Sequence, residues 1–419
     1  MKRLLTVTAL LLPALAFAQR VDTTAVDPDR YEPQLGYFQK AHRDDSDPRF
    51  MITDNEKRFS LGIGGMVHLN TFYDFDGAMD GYSFSPGTIA IPVDKTDHFG
   101  YTATGSNVYV KARATKGRHT VTAYLQLQGA EIDGTDYILL SKAYVSVDRF
   151  TIGKTYSFFM DLEAGPMTVD LQGPNTQIAM VHNLIGYTFP MGRWTAAAAL
   201  EAPHTIGDSF QEYNVSSDYN SFPDLAVHLK YRGDRGHVQA GLLLRQVSYW
   251  TSKSGFSTAS DGITKYASGY GFSLSGNFSP SDKLTLSAQG IYGKGVSYYI
   301  QDLAGLGLSL GMENGFDSQG YPTLAPLPAA GGYASASYKW SKTLRSSVVF
   351  GLCHLDNKGL LTADRFKNSD YIAANLFYYF SPTCFLGVEY LNGRKWIYSD
   401  GGADMGYANR LNACVCYRF

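Results

Sequence analysis

The chain closes on LNACVCYRF, residues 411–419, where Cys414 and Cys416 flank a single valine. A C-x-C pair could hold a metal through its thiolates, but no histidine or further cysteine stands at zinc-ligand spacing. Two apart on one strand, the pair points to one side and is poorly placed to bridge to itself. A Cys384–Cys416 bridge would join the ends of one hairpin, yet the facing parity of the two is mismatched. Small lumen-lining residues are the simpler reading. DFDGAMDG, residues 74–81, carries three carboxylates that could bind Ca²⁺ through oxygen, but the rest of any calcium-loop pattern is missing. It reads as a solvated loop. GLGLSLG, residues 305–311, lacks the lysine and the strand-to-helix setting of a phosphate loop. The nine histidines are scattered, with no H-E-x-x-H and no C-x-x-C. No cofactor, metal or catalytic centre follows from these residues, and the chain reads as a non-enzyme.

The chemistry left is charge placed at regular intervals. Lys111, Arg113, Lys142, Arg245 and Arg410 all fall on the polar side of segments that alternate polar and apolar residues. Neighbouring side chains on a strand point to opposite faces, so a row of this kind lines one surface of a sheet. In the last segment Tyr407, Leu411, Ala413, Val415, Tyr417 and Phe419 share one face, while Arg410, Asn412, Cys414, Cys416 and Arg418 share the other. One face suits hydrocarbon and the other suits water.

The elements that would carry this row are short strands. Tyr (30), Phe (24) and Gly (43) are abundant among 419 residues, a mix that favours strands over helices. A net charge of −2 gives no broad electrostatic case for nucleic acid. MKRLLTVTALLLPALAFAQ has the positive, apolar and A-x-A parts of a secretion signal, expected over 1–18. No later run of roughly 18 apolar residues exists, which excludes a helical membrane protein. A polar arm spans 19–58, and 59–419 alternates throughout.

Sixteen strands are expected at 59–75, 105–115, 119–129, 137–148, 150–156, 178–189, 193–202, 223–232, 237–250, 265–279, 283–300, 332–341, 343–355, 369–380, 384–399 and 405–419. Their connections alternate between tight (KGRH, DR, PMGR, RGDRGH, SPSD, SK, SPT) and long or Gly/Ser/Asp-rich. A soluble sandwich has no reason to keep one end of every hairpin short. A transmembrane up-and-down antiparallel β-barrel does, with tight turns in the periplasm and long loops outside. Sixteen strands enclose an aqueous channel, whereas eight fill with side chains. The fold class is therefore all-β, and the location is the bacterial outer membrane, with its lipid around the barrel.

Three stretches carry a family likeness: FSLGIGGMVHLNTFYDFDG at the first strand, LLSKAYVSVDRFTIGKTYSFFMDLEAGPMTVDLQGPN across strands four and five and the next loop, and the terminal YRF. Together they resemble the DcaP-like outer-membrane porins over about 59–419. The resemblance implies homotrimers of sixteen-stranded barrels whose third extracellular loop folds inward. It implies passage of small polar solutes, anionic ones included, and recognition of the terminal Phe419 by the barrel-assembly machinery. Some members carry a coiled-coil arm; the segment here is too short and irregular for one. The inward loop would contribute Asp161, Glu163 and Asp170, facing the basic row across a constriction, since charge at the narrowest point sets selectivity in a wide pore. Two other readings stay open: a barrel enzyme hydrolysing lipid or peptide, and a closed structural barrel.

Overall fold

Alternation decides the architecture, because a strand with one oily and one wet face can only close around a lumen if lipid lies outside. In the computed structural model the described residues are 20–21, 50–56, 58–77, 79, 83–132, 135–202, 215–217, 222–253, 262–356, 365–399 and 404–419. The expected signal at 1–18, most of the 19–58 arm and Asp80 of the carboxylate motif lie outside them.

The sixteen barrel strands are β1 (Phe59–Asp76), β2 (Asn107–Lys116), β3 (His119–Ile132), β4 (Thr135–Val147), β5 (Phe150–Tyr156), β6 (Val181–Met191), β7 (Trp194–Ala202) and β8 (Asp224–Gly233), followed by β9 (Gly236–Thr251), β10 (Ile263–Phe278), β11 (Leu284–Lys294), β12 (Pro328–Lys339), β13 (Leu344–Leu355), β14 (Phe366–Ser381), β15 (Cys384–Ile397) and β16 (Met405–Arg418). Each pairs antiparallel with the next, and β16 returns to β1 with Leu411 opposite Tyr73 and Val415 opposite Leu69. The wall is closed. Short additions ride on it: His98–Thr102 pairs with the upper part of β1, and Phe50–Thr53 pairs with β1 just below the chain end. The backbone of Phe419 exchanges two hydrogen bonds with Gly65 at 3.1 Å, so β16 runs to its last residue.

Parity holds along the strands except over Tyr137–Leu140 of β4, which are exposed in succession. On β13, Val348, Phe350 and Leu352 are 57%, 45% and 51% exposed, while Ser347, Val349 and Cys353 between them are buried. Moving one large apolar side chain from water to hydrocarbon gains about 1.5–3 kcal/mol, so an outer surface built this way throughout is tenable only in lipid. The closed ladder pairs the backbone across the wall, as hydrocarbon demands, save over 135–142 of β4, which lies beyond the β4–β5 pairing at Ala143–Val147. On β15 and β16, Cys384 stands opposite Tyr417 while Phe385 stands opposite Cys416, so Cys384 and Cys416 face opposite sides; all four cysteines are free.

Most expected boundaries shift by a few residues, and two of the shifts shape the lumen. The strand expected over 283–300 stops at Lys294, because Gly295 takes a positive φ of 68° and Ser297–Tyr299 turns inward as a short 3-10 helix. The Tyr299 hydroxyl then donates to Asp224 at 2.9 Å. The strand expected from 178 begins at Val181, and Ile178 packs with Phe159, Tyr299 and Leu303 in an apolar cluster inside the barrel. Much of the lumen is thus occupied by loops.

Candidate functional site

The loop between β5 and β6, residues 157–180, organises the lumen. Its two feet are joined by Ser157 N–H donating to the Met180 carbonyl at 2.9 Å. From there it crosses toward the far wall. Phe158 N–H donates to Glu201 on β7 at 2.7 Å, and Gln239 on β9 donates to the Met160 carbonyl at 3.1 Å. At its turn, Tyr333 on β12 donates to the Ala164 carbonyl, and Ser347 on β13 and Asn375 on β14 both donate to that of Met167. Its far end docks on β15, where the Glu389 carboxylate accepts from Val169 N–H at 3.0 Å and Asp170 N–H at 2.7 Å. A loop bonded to β7, β9 and β12 to β15 leaves the wall from β1 to β6 for a passage.

That wall bears a ladder of tyrosines. Tyr109, Tyr124 and Tyr144 on β2, β3 and β4 stack in sequence with ring centroids 5.3 Å apart. Lys111 stands opposite Tyr124 in register, Arg113 opposite Thr122, and Lys142 opposite Gln126. The Lys142 ammonium lies 5.4 Å from the Tyr124 ring centroid and 4.5 Å from that of Tyr156. Between wall and loop lie two cavities. One of about 380 Å³ is lined by Tyr144, Thr151, Tyr156, Glu163 and Lys230 among others. The second, about 210 Å³, is lined by Gln128, Ser141, Tyr156, Leu171 and Gln172 among others. Tyr156 borders both.

The loop carboxylates are engaged on the opposite side. Asp161 is bonded to Lys230 at 3.1 Å, His237 at 2.7 Å and Ser275 at 2.8 Å. Burial pushes its pKa upward, but His237 and Lys230 overcome that and hold it well below the usual carboxylate range. Glu163 accepts from Lys230 at 3.2 Å and from Arg232 at 2.6 and 2.5 Å, and is likewise lowered against burial, to about 2. Asp170 behaves oppositely. Burial first, and the nearby Glu389 second, push it up to about 8. Asp302, in the 295–309 loop, is pushed up to about 7 by burial, and it ties three loops together: Ser85 donates to it, Ser369 donates to it, and its N–H reaches the Asn175 carbonyl.

The structure therefore gathers Lys111, Arg113 and Lys142 on one wall and puts the other two basic candidates elsewhere. Arg245 lies 3.4 Å from Asp224 and donates to the Gly295 carbonyl at 2.7 Å, fixing the inward turn after β11. Arg410 is bidentate to Asp74 at 2.6 and 2.9 Å and donates to the Met79 and Ser83 carbonyls, fixing the first loop. Asp74, a candidate calcium ligand by sequence, is spent on Arg410. Phe419 sits on the lipid-facing side, partly exposed. Sequence reasoning missed Tyr156, Glu389 and Asp302. The inward parity of Glu389 within FLGVEYLNG was readable; its loop partner was not.

A family model described as the Porin subfamily matches residues 66–364. The outer membrane channel DcaP of Acinetobacter baumannii superposes with a TM-score of 0.71 at 19% identity, over 88% of this chain and 99% of that one. An anion-selective porin from Comamonas acidovorans gives 0.53 at 11% identity, over 86% and 100% of the two chains. OmpF of Salmonella typhi, in complex with daunomycin, gives 0.52 at 11%, over 86% and 98%. At these identities the likeness to solved structures is one of fold. No curated protein matches the chain.

Proposed function

The chain belongs to the porin subfamily and is an outer-membrane porin, and from that premise we propose that it passes small polar solutes passively, with a preference for anions, along the wall from β1 to β6. The observation that carries this reading is the place of Tyr156, which borders both cavities with the Lys142 ammonium 4.5 Å from its ring centroid. A solute moving between the cavities passes this neck. Lys111 and Arg113 extend the same basic surface. The carboxylates of Asp161 and Glu163 are matched by Lys230, Arg232 and His237, which supports a net positive field in the passage. Arg245, Arg410 and Asp170 act as loop anchors in this scheme.

The test is reversal potential in planar bilayers under a KCl gradient. The wild type is expected to prefer chloride, and Lys111→Glu/Arg113→Glu/Lys142→Glu to move the preference toward potassium. Chloride preference unchanged in that variant would overturn the proposed path; a silent bilayer would favour the closed or enzymatic readings.

The same proposal takes 1–18 as a cleaved signal, 19–58 as a periplasmic arm and 59–419 as the barrel. It takes the assembly as a homotrimer delivered by the barrel-assembly machinery. Support for a partner copy comes from β4, where Tyr137, Ile138, Leu139 and Leu140 are consecutively exposed, in breach of strand parity. Cross-linking intact cells through cysteines placed at Ile138 checks it: a trimer ladder is expected.

A further inference from the structure

Six consecutive short turns each carry a basic residue at the tip: Arg118 between β2 and β3, Arg149, Arg193, Arg235, Lys283, and Lys342 between β12 and β13. All six are exposed. The acidic residues among these turns are Asp148, Asp234 and Asp282, so cations are in excess at this end of the barrel. Of these acids, Asp148 is bonded to His119 at 2.7 Å and Asp234 to Arg193 at 2.8 Å. One strand position above the turns runs a belt of large rings on the lipid-facing side. Phe150, Trp194, Phe278, Trp340 and Phe380 are all strongly exposed there. Aromatic rings of this kind mark the level of lipid headgroups in membrane barrels.

Two contacts fix the cations on the outer side of this rim. The Arg149 guanidinium lies 5.4 Å from the ring centroid of Phe189, a lipid-facing residue. Arg193 is hydrogen-bonded to Tyr231, whose ring packs at 4.8 Å on that of Trp194. The collar is thus aimed at the bilayer edge. Its spacing follows the strands around the wall, and a phosphate diester at headgroup level can reach one turn or bridge two. Guanidinium and ammonium groups with apolar stems along a bilayer are suited to phosphate.

We propose that this collar binds anionic phospholipid headgroups of the inner, periplasmic leaflet, one lipid or more per barrel. The inference rests on the porin reading only for which end of the barrel faces the periplasm. The bound chemistry is a diacyl phosphate monoanion, retained over zwitterionic lipid.

The full protein is reconstituted in nanodiscs of equal phosphatidylglycerol and phosphatidylethanolamine, then released into native mass spectrometry to read the lipids that stay bound. Wild type is expected to retain phosphatidylglycerol over phosphatidylethanolamine by about tenfold or more. Arg149→Ala/Arg235→Ala/Lys283→Ala/Lys342→Ala is expected to retain both equally. Heat-modifiable gel mobility and single-channel conductance equal to wild type confirm that this variant is folded. Lys283→Ala/Lys342→Ala, with a smaller change, is expected to lose part of the preference and covers the case of misfolding. No preference in wild type, or an undiminished preference in both variants, overturns the proposal. So does displacement by inorganic phosphate at equal concentration. Failure of conduction with lipid preference intact would sink the porin mechanism and leave the collar standing.

Discussion

Arg410 on the last strand stands directly opposite Asp74 on the first, and the two form a buried bidentate pair across the seam where the barrel closes. The guanidinium also lies 4.3 Å from the Phe72 ring centroid and takes in the carbonyls of Met79 and Ser83. Closure of the wall and placement of the first loop are therefore one event.

Arg410→Ala leaves the buried Asp74 carboxylate with only His98, at 3.4 Å, and breaking a buried pair in this way costs up to about 3–5 kcal/mol. Expected is a lower temperature for loss of the compact band on unheated gels. Arg410→Met paired with Asp74→Leu should recover much of that loss, since neither charge then remains buried. A single variant as stable as wild type would mean that the pair contributes nothing to closure.

Lys142 is fully buried behind Tyr156 and is expected to act on the neck through its field. A unit charge about 5 Å from an ion in a watery pore changes its energy by about 1 kcal/mol, with opposite sign for anion and cation, so Lys142→Met should shift the anion/cation permeability ratio by at most about 2 kcal/mol, roughly thirtyfold. Arg245→Met, which removes a charge committed to Asp224 and Gly295, should shift it far less. Bi-ionic reversal potentials separate the two.

Tyr156 is expected to limit flow rather than choose charge. Tyr156→Ala joins the two cavities more widely and should raise conductance while the reversal potential stays near the wild-type value. Tyr156→Trp should lower it. Single-channel recording at high salt, where surface charge is screened, reads this directly.

Asp170 gives the loop a pH dependence whose sign follows from its raised pKa. The folded state holds a proton that the released loop, with an ordinary aspartate, gives up near pH 4. Docking on Glu389 is therefore strongest in acid and weakens as pH rises toward about 8. Open-channel noise should increase as pH rises from about 4 to about 8, and Asp170→Asn should flatten that dependence. Glu163, lowered to about 2, acts in the other direction: its anchorage is complete above pH 4.5 and is lost only as pH falls toward 2.

Phe419 faces lipid, while its backbone pairs with Gly65. Phe419→Ala keeps those hydrogen bonds and removes the ring, so any loss is one of assembly. Several-fold less barrel in the outer membrane is expected by quantitative blotting, with unchanged melting of the fraction that assembles.

The sixteen strands were legible because period-two alternation and tight turns are local properties, written within ten residues of one another. The lumen was not. Val296 to Ile300 is an apolar run that parity alone extends from β11, yet the positive φ at Gly295 turns it inward onto Phe159. Lipid-facing and loop-core residues look alike in sequence, since both leave water. The candidate basic residues were read as polar-face positions, but parity does not say which positions meet solute and which meet a carboxylate. Asp74 with Arg410, and Asp170 with Glu389, are separated by most of the chain or by half of it. Only closure brings them together.

The loop from β5 to β6 is pinched at its feet and fastened to β13, β14 and β15, about half the circumference away. A hollow tube flattens under sideways load; one with an internal strut does not. Because this strut also forms one side of the gap at Tyr156, the bore there is held constant against sideways load from the bilayer.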